Sequence, residues 1–138
     1  MSTQENVTLR VILDANFLFI PLQFCVDIFD ELSKLLNRSY EPIILSSTQK
    51  ELEGLVESSS QKTQKQALLA LSLAKKCSLV NIEKSQNESY DDVIVRIASK
   101  WKVPVGTNDR DLRKRLRKNG TPVIFLRQKR HFEMFGAV

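Results

Sequence analysis

Six carboxylates occur at four points of the sequence where an apolar strand or a turn precedes a helix. They are Asp14, Glu51, Asp91 with Asp92, and Asp109 with Asp111. In an open parallel α/β sheet such points gather outside the carboxyl ends of the strands, so these acids would share one pocket. Converging carboxylates raise one another's pKa values unless a cation neutralises them. The pattern therefore predicts a site for Mg²⁺ or Mn²⁺, which prefers oxygen ligands, activates water and offsets charge on a scissile phosphate.

Helix capping is the competing explanation for most of these acids. Three segments have the composition of helix starts: Thr48-Gln-Lys-Glu51, Ser89-Tyr-Asp-Asp92 and Asn108-Asp109-Arg-Asp111. Asp14 is the exception, because it ends an apolar strand and we expect no helix immediately behind it. Both explanations stay open for the acids taken one at a time.

The elements that must position these acids follow from the hydrophobic pattern. Apolar runs predict strands at residues 10–15, 42–47, 79–82, 103–107 and 121–126. Helical spacing predicts helices at residues 26–36, from Thr48 onward, and at residues 68–76, 91–101 and 109–118. The polar stretch 57–66 is typical of a mobile loop or a solvated helix end.

Strands that alternate with helices predict an α/β fold of three layers, in which helices cover both faces of a parallel sheet of about five strands. Right-handed crossovers narrow the topology. If the first three strands run outward from strand 1 and the next two lie on its other side, the order is 3-2-1-4-5. Asp14 and Asp109 then stand at the ends of neighbouring strands, beside the switch point of the sheet.

Length and composition indicate one domain, residues 1–138, whose first eight residues we expect to be disordered. No apolar run approaches the roughly 18 residues of a membrane span, and the start of the chain has no signal-peptide core. We therefore expect a cytoplasmic protein without membrane contact. The two cysteines form no CxxC or Cys/His cluster, so neither a zinc site nor a disulfide framework is predicted.

Positive charge is concentrated near the end of the chain. Residues 110–131 contain nine lysines and arginines against one acid, Asp111, whereas the rest of the chain has more acids than bases. Such a region attracts phosphates, which makes nucleic acid the expected partner. A solvated helix face followed by a basic tail would give the same composition. His131, the lone histidine, lies in this region and is expected at the surface rather than as a catalytic base.

The acidic segments, taken in order, resemble the PIN-domain family. They are DANFLFIP (14–21), QKELEGL (49–55), DDVIVRIA (91–98) and GTNDRDLRKRL (106–116). Two further stretches resemble an archaeal subgroup that is similar to the eukaryotic PIN nuclease of small-subunit ribosomal RNA processing: PLQFCVDIF (21–29) and RLRKNGTPVIFLRQKRH (115–131). PIN domains are mostly metal-dependent ribonucleases with a 3-2-1-4-5 sheet, so the resemblance implies that fold and that activity.

The resemblance also implies roles for individual residues. Asp14 would be a metal ligand with Asn16 beside it, and Glu51 would be the acid of the second helix. The third acid is Asp91 or Asp92, of which we favour Asp92. Asp109 would be the acid after the fourth strand, supported by hydrogen bonds from Thr107 and Asn108, with Asp111 as a secondary ligand. Seven basic residues would hold the RNA backbone: Arg113, Lys114, Arg117, Lys118, Arg127, Lys129 and Arg130.

The implied reaction is hydrolysis of an RNA phosphodiester by water with one or two Mg²⁺ or Mn²⁺ ions, leaving a 5′-phosphate and a 3′-hydroxyl. We expect structured ribosomal RNA as substrate and a homodimer as the assembly. Two alternatives within the family are a VapC-type toxin restrained by an antitoxin, and a catalytically silent domain that binds RNA or a ribosome-assembly factor. A phosphoacceptor signalling domain is disfavoured, because the third strand ends Asn81-Ile82-Glu83 where the phosphoacceptor aspartate would stand.

Overall fold

The computed structural model describes residues 8–137, and its centre is a six-stranded sheet of order β3-β2-β1-β4-β5-β6. The strands are β1 (Leu9–Leu13), β2 (Tyr40–Leu45), β3 (Ser78–Val80), β4 (Val105–Gly106), β5 (Val123–Arg127) and β6 (His131–Phe135). The first five strands pair in parallel, and β6 pairs antiparallel to β5. The predicted α/β fold and the order 3-2-1-4-5 are confirmed, with one further strand at the edge.

Seven helices cover the sheet. They are α1 (Ala15–Leu18), α2 (Ile20–Phe24), α3 (Ile28–Leu36), α4 (Ser46–Val56), α5 (Gln61–Ala74), α6 (Tyr90–Trp101) and α7 (Arg110–Lys118). Side chains of α1 to α5 pack on one face of the sheet, and those of α6 and α7 pack on the other. Within residues 8–137 no helix has both the length and the apolar character that a membrane span requires.

β1 is buried on both faces because its alternate residues pack into the hydrophobic cores on the two sides of the sheet. Val11 and Leu13 pack with α1 to α5, whereas Ile12 packs with α6 and α7. All three side chains have no exposed surface. This accounts for the continuous apolar run in the sequence, since a strand with helices on both sides has no solvent face.

Gly106 lets the two strands that carry the site approach each other. It lies opposite Leu13 in the β1–β4 ladder. A Cβ at this position would come within 3.0 Å of a Leu13 methyl and 3.1 Å of the Phe17 ring. The residues that follow, Asp14 and Thr107, are thereby placed side by side at the carboxyl rim.

Several predicted boundaries were wrong. The helix predicted at residues 26–36 begins at Ile28, and two short helices that were not predicted, α1 and α2, precede it; Cys25 adopts positive φ and ends α2. Helix α4 begins at Ser46, two residues before Thr48. Helix α5 begins at Gln61 because Ser60 caps it, so the stretch 57–66, predicted as a loop or a solvated helix end, contains the start of this helix. Of the eight residues expected to be disordered, residues 1–7 lie outside the described part of the chain.

β6 was not predicted, because its hairpin lacks the usual sequence signal. The turn residues Gln128 and Lys129 have φ values of 53° and 62°, and Arg130 N–H donates to the carbonyl of Arg127 at 3.1 Å. Hairpin turns with positive φ at two consecutive residues normally carry Asn-Gly or Asp-Gly, and the three-residue loop 128–130 carries neither. The basic residues 127–131, for which a tail was the alternative explanation, therefore form the end of β5, the turn and the first residue of β6, His131.

Candidate metal-dependent nuclease site

Asp14 lies at the end of β1, and only 4% of its surface is exposed. Contrary to expectation, α1 begins directly behind it, yet the Asp14 side chain does not cap that helix. Its Oδ2 instead accepts a 2.8 Å hydrogen bond from Thr107 Oγ1. The pKa of Asp14 is raised to about 6. Burial is the main cause, the charges of Asp91 and Asp109 raise the pKa as well, and the hydrogen bond from Thr107 partly opposes them.

The loop between β4 and α7 is organised by side chains that bond to its backbone. Thr107 is fully buried, and its Oγ1 also accepts from the N–H of Asp109 at 3.0 Å. Asp109 Oδ1 caps α7 by accepting from the N–H of Leu112 at 2.9 Å. Capping and membership of the acid cluster are thus compatible for Asp109, because the cap engages one of its two oxygens.

Asn16 and Asn108 connect this loop to the neighbouring strands. Asn16 Oδ1 accepts from the N–H of Asn108 at 3.2 Å, and Asn108 Oδ1 accepts from the N–H of Leu126 at 2.8 Å. The two amide side chains therefore fix the loop to α1 on one side and to β5 on the other. Neither amide oxygen is left unoccupied, so both residues act here as supports for the rim.

Glu51 is free of capping, because the helix starts earlier than its sequence indicates. Leu45 occupies the N-cap position of α4, so Thr48 and Glu51 both lie inside the helix and the predicted capping box does not form. Glu51 Oε1 is buried without a hydrogen-bond partner within the described residues. Burial, followed by the charges of Asp14 and Asp91, raises the pKa of Glu51 to about 7. A buried carboxylate oxygen without a partner in the protein is the observation that fits a ligand of a divalent cation most directly.

Asp91 and Asp92, the two candidates for the third acid, have different environments. Asp92 forms the capping box of α6 with Ser89, and its Oδ1 accepts a 2.8 Å bond from Arg115, so both carboxylate oxygens are engaged. These bonds lower the pKa of Asp92. Burial and then the charge of Asp109 raise the pKa of Asp91, whose own charge acts on Asp14 and Glu51. Asp91 is therefore the third acid of the cluster.

The acid cluster thus consists of Asp14, Glu51, Asp91 and Asp109, whose charges are coupled at one rim of the sheet. Asp111 is exposed in the first turn of α7 and acts only on Asp91. Within residues 8–137 no three carboxylate, histidine or cysteine side chains converge tightly enough to hold an ion by themselves. Mg²⁺ commonly binds through one or two carboxylates and keeps several waters, so this donor set fits a hydrated divalent ion.

The seven predicted RNA-binding residues fall into two groups. Arg113, Lys114, Arg117 and Lys118 lie on α7, immediately after Asp109. Arg127, Lys129 and Arg130 lie at the β5–β6 turn, where Arg127 pairs with Glu133 at 3.6 Å. Two arginines with defined roles were missed: Arg115, which bonds to Asp92, and Arg110, which shares the helix face of Arg113 and Arg117. The spacing of residues 110, 113, 114 and 117 was the available signal for Arg110.

Comparison with known proteins agrees with this geometry. A family model described as a PIN like domain matches residues 11–129. Ribonuclease VapC4 of Methanocaldococcus jannaschii is 31% identical over 129 residues, spanning 94% of this chain and 98% of that protein. The solved PIN domain endonuclease Utp24 has a TM-score of 0.76 and 28% identity, covering 94% of this chain and 92% of that chain.

A chain of VapBC2 from Rickettsia felis, solved bound to a DNA fragment from the promoter, has a TM-score of 0.61 and covers 86% of this chain and 100% of its own. At 16% identity it shows the shared fold alone. The extent of the family match, the full-length similarity to ribonuclease VapC4 and the common strand order together make this chain a member of the PIN-domain family.

Proposed function

We propose that this protein is a metal-dependent endoribonuclease. The observation that carries the proposal is the acid cluster, in which residues from four separate elements meet beside the cations of α7. Such an arrangement costs stability in the absence of a cation, because the charges of Asp14, Glu51 and Asp91 oppose one another. The names of two similar proteins, ribonuclease VapC4 and the PIN domain endonuclease Utp24, support the same activity.

The four acids would hold the ion or its waters. Asp14 is fixed by the hydrogen bond from Thr107 to its Oδ2, whereas Glu51 contributes an oxygen that has no partner within the described residues. When bound, Mg²⁺ or Mn²⁺ would lower the pKa of the attacking water and offset charge on the scissile phosphate. Asn16, Thr107 and Asn108 would keep the rim in one geometry, because each is bonded across the loop.

The RNA strand would be held by the basic residues of α7 and of the β5–β6 turn. Their position next to Asp109 brings a phosphate backbone and the acid cluster into the same region. Recognition would depend on RNA shape and on unpaired segments, since proteins read single-stranded RNA far more readily than the deep groove of an RNA duplex.

Two biological settings fit this activity, each with its own support. The similarity to Utp24 and to its subgroup motifs favours processing of ribosomal RNA, which is the leading hypothesis. The similarity to VapC4 favours a toxin ribonuclease with an antitoxin partner. A silent domain is the third hypothesis, and it is disfavoured because all four acids are present. A homodimer, a ribosome-assembly partner and a cytoplasmic location stay predictions.

The test of the activity is cleavage of structured ribosomal RNA fragments by purified protein with Mn²⁺, Mg²⁺ or chelator. We expect cleavage only with metal, products that carry 5′-phosphate ends, and its loss in Asp14→Asn. Asp30→Asn is the matched control, because Asp30 is an exposed residue of α3 that pairs only with Lys34. Equal cleavage by wild type and Asp14→Asn would identify a contaminating nuclease and refute the proposal.

The two settings are separated by expressing the protein in a bacterial host. A toxin would arrest growth in a manner that depends on Asp14, and co-expression of a small antitoxin would restore growth. A ribosomal RNA processing enzyme would leave growth unaffected and would cut its precursor fragment at a defined site in vitro.

A further inference from the structure

A pocket lies between α7 and the β5–β6 hairpin, and none of the cluster acids lines it. Its volume is about 290 Å³. Basic side chains form one wall and apolar side chains form the other: Arg110, Arg113, Lys114 and Arg117, opposite Val123, Phe125 and Phe135. We call this site the α7 pocket. It exists because β6 extends the sheet and brings Phe135 opposite Val123.

The four basic residues of the α7 pocket share one face of the helix. Positions 110, 113, 114 and 117 are spaced i, i+3, i+4 and i+7, which places their side chains in one stripe. Like charges at these spacings destabilise a helix. A bound anion would offset this repulsion.

The positive charge in the α7 pocket is not neutralised within the described part of the chain. The ion pairs on this side of the molecule involve other arginines, Arg115 with Asp92 and Arg127 with Glu133. Arg113 Nε is buried and has no hydrogen-bond partner. A buried charged donor without an acceptor is unfavourable, so an acceptor oxygen supplied by a ligand would be stabilising.

Two phenyl rings hold the guanidinium groups in place. Arg113 lies over Phe125 with its Cζ 5.0 Å from the ring centroid, and Arg117 lies over Phe135 at 3.7 Å. Phe135 is 49% exposed, so its main packing partner on the open side is the arginine itself. Stacking engages the face of a guanidinium and leaves its N–H edges free, and two such edges match the oxygens of a phosphate.

The dimensions of the α7 pocket favour a small anionic group. Ligand pockets range from roughly 300 to 1,000 Å³, so this one is at the lower limit. Arginines whose faces are already stacked offer hydrogen bonds rather than a bare aromatic platform, which favours a phosphate over a base. A base-paired segment of RNA would not enter such a cleft.

We propose that the α7 pocket binds a single phosphate of an unpaired RNA strand through Arg113 and Arg117, and so positions the strand relative to the acid cluster. The choice of RNA as the ligand rests on the proposed nuclease function. The phosphate is either a terminal 5′-monophosphate or an internal phosphodiester, which share this chemistry. The four cations favour the more highly charged terminal group.

The test measures RNA binding without cleavage, by fluorescence anisotropy in chelator. The probes are short unpaired RNA strands of one sequence, labelled at the 3′ end, with either a 5′-phosphate or a 5′-hydroxyl. Arg113→Gln with Arg117→Gln is expected to weaken binding about tenfold or more, because hydrogen bonds to charged groups contribute roughly 1.5–3 kcal/mol. Lys62→Gln with Lys65→Gln is the control, since it removes the same charge from exposed positions of α5.

If the double arginine variant loses affinity only for the 5′-phosphorylated strand, the bound group is the terminal phosphate. If it loses affinity equally for both strands, the bound group is an internal phosphate. Equal weakening by the pocket variant and the α5 control would overturn the proposal, because the effect would then be general charge. Phe135→Leu retains all charges and is expected to weaken binding several-fold by releasing Arg117. Unchanged RNA binding by Phe135→Leu would contradict the role of the ring. This variant also keeps the test valid if the double arginine variant fails to fold.

The outcome is separable from that of the nuclease proposal. Binding in chelator does not require cleavage, so strong pocket-dependent binding by an inactive protein would refute only the nuclease. Metal-dependent cleavage together with unaltered binding by the pocket variants would refute only the α7 pocket. Adenosine 5′-monophosphate provides a direct probe, since it is expected to shift the Nε–Hε NMR signal of Arg113, whereas adenosine is not.

Discussion

Thr107 Oγ1 donates a 2.8 Å hydrogen bond to Asp14 Oδ2 and accepts one of 3.0 Å from the N–H of Asp109. The three residues come from the end of β1, the end of β4 and the start of α7. One buried hydroxyl therefore sets the relative position of two acids that are far apart in the sequence. Its removal tests how far the site depends on this bond.

Thr107→Val should destabilise the protein, because it has the same shape but can neither donate to Asp14 nor accept from Asp109. Each polar group left unsatisfied in a buried position costs roughly 1–3 kcal/mol. We expect a loss of at least about 1 kcal/mol in urea denaturation and a large loss of cleavage. Thr107→Ser keeps the hydroxyl and should retain most of the stability and most of the cleavage activity. A Thr107→Val variant as active as wild type would show that the bond is dispensable.

Asp91→Asn and Asp92→Asn should affect different properties. Asp91 belongs to the acid cluster, so its neutralisation should reduce cleavage at least roughly tenfold, as loss of groups that support a metal site does. Asp92 forms the α6 cap, so its replacement should lower stability by about 1 kcal/mol with cleavage close to wild type. Rate assays in Mn²⁺ alongside thermal denaturation separate the two, and a greater loss of cleavage in Asp92→Asn would contradict the assignment.

Asp14→Asn should stabilise the metal-free protein at neutral pH. The folded pKa is about 6 and the ordinary value is 3.8, so between these values the folded protein binds more protons than the unfolded chain. Stability contributed by this group is therefore present at low pH and falls as the pH rises from about 4 to 6. The variant should be more stable than wild type by roughly 1–3 kcal/mol above pH 7 and nearly equal to it near pH 4.

The measurement for this prediction is denaturation in chelator across that pH range. Glu53→Gln is the control, because Glu53 is exposed on α4 and should show little change. If the difference in free energy of unfolding between Asp14→Asn and wild type stays constant with pH, Asp14 has an ordinary pKa.

Lys129→Gly should stabilise the β5–β6 hairpin. Lys129 has a φ of 62°, which costs a residue with a side chain roughly 1–2 kcal/mol, whereas glycine adopts it freely and loses about 0.5–1 kcal/mol to chain entropy. A net gain of roughly 0.5–1 kcal/mol in urea denaturation is expected. Lys129→Ala removes the same charge and keeps the unfavourable conformation, so a gain of equal size in that variant would attribute the effect to charge.

The sequence was sufficient for the fold and for the identity of most acids. Runs such as residues 10–15 and 121–126 could be assigned as strands because burial on both faces leaves a continuous apolar pattern. The strand order followed from right-handed crossovers together with an assumed direction of winding, and it agreed with the order that the resemblance to the PIN-domain family implies. The sequence was insufficient where the role of a side chain depended on the residue at which a helix begins, as for Thr48 and Glu51. A shift of two residues in the start of α4 turned a capping pair into two interior residues.

Adjacent residues on a helix, such as Asp91 and Asp92, point about 100° apart, and only the packing of α6 against the sheet decides which one faces the rim. The same holds for the α7 pocket, since Phe125 and Phe135 meet Arg113 and Arg117 only after β6 has folded back on β5. Residue types, their order and the distribution of charge were determined by the sequence alone, because they are local properties. Which side chains share a site was decided by tertiary structure, because it depends on contacts between elements remote in the chain.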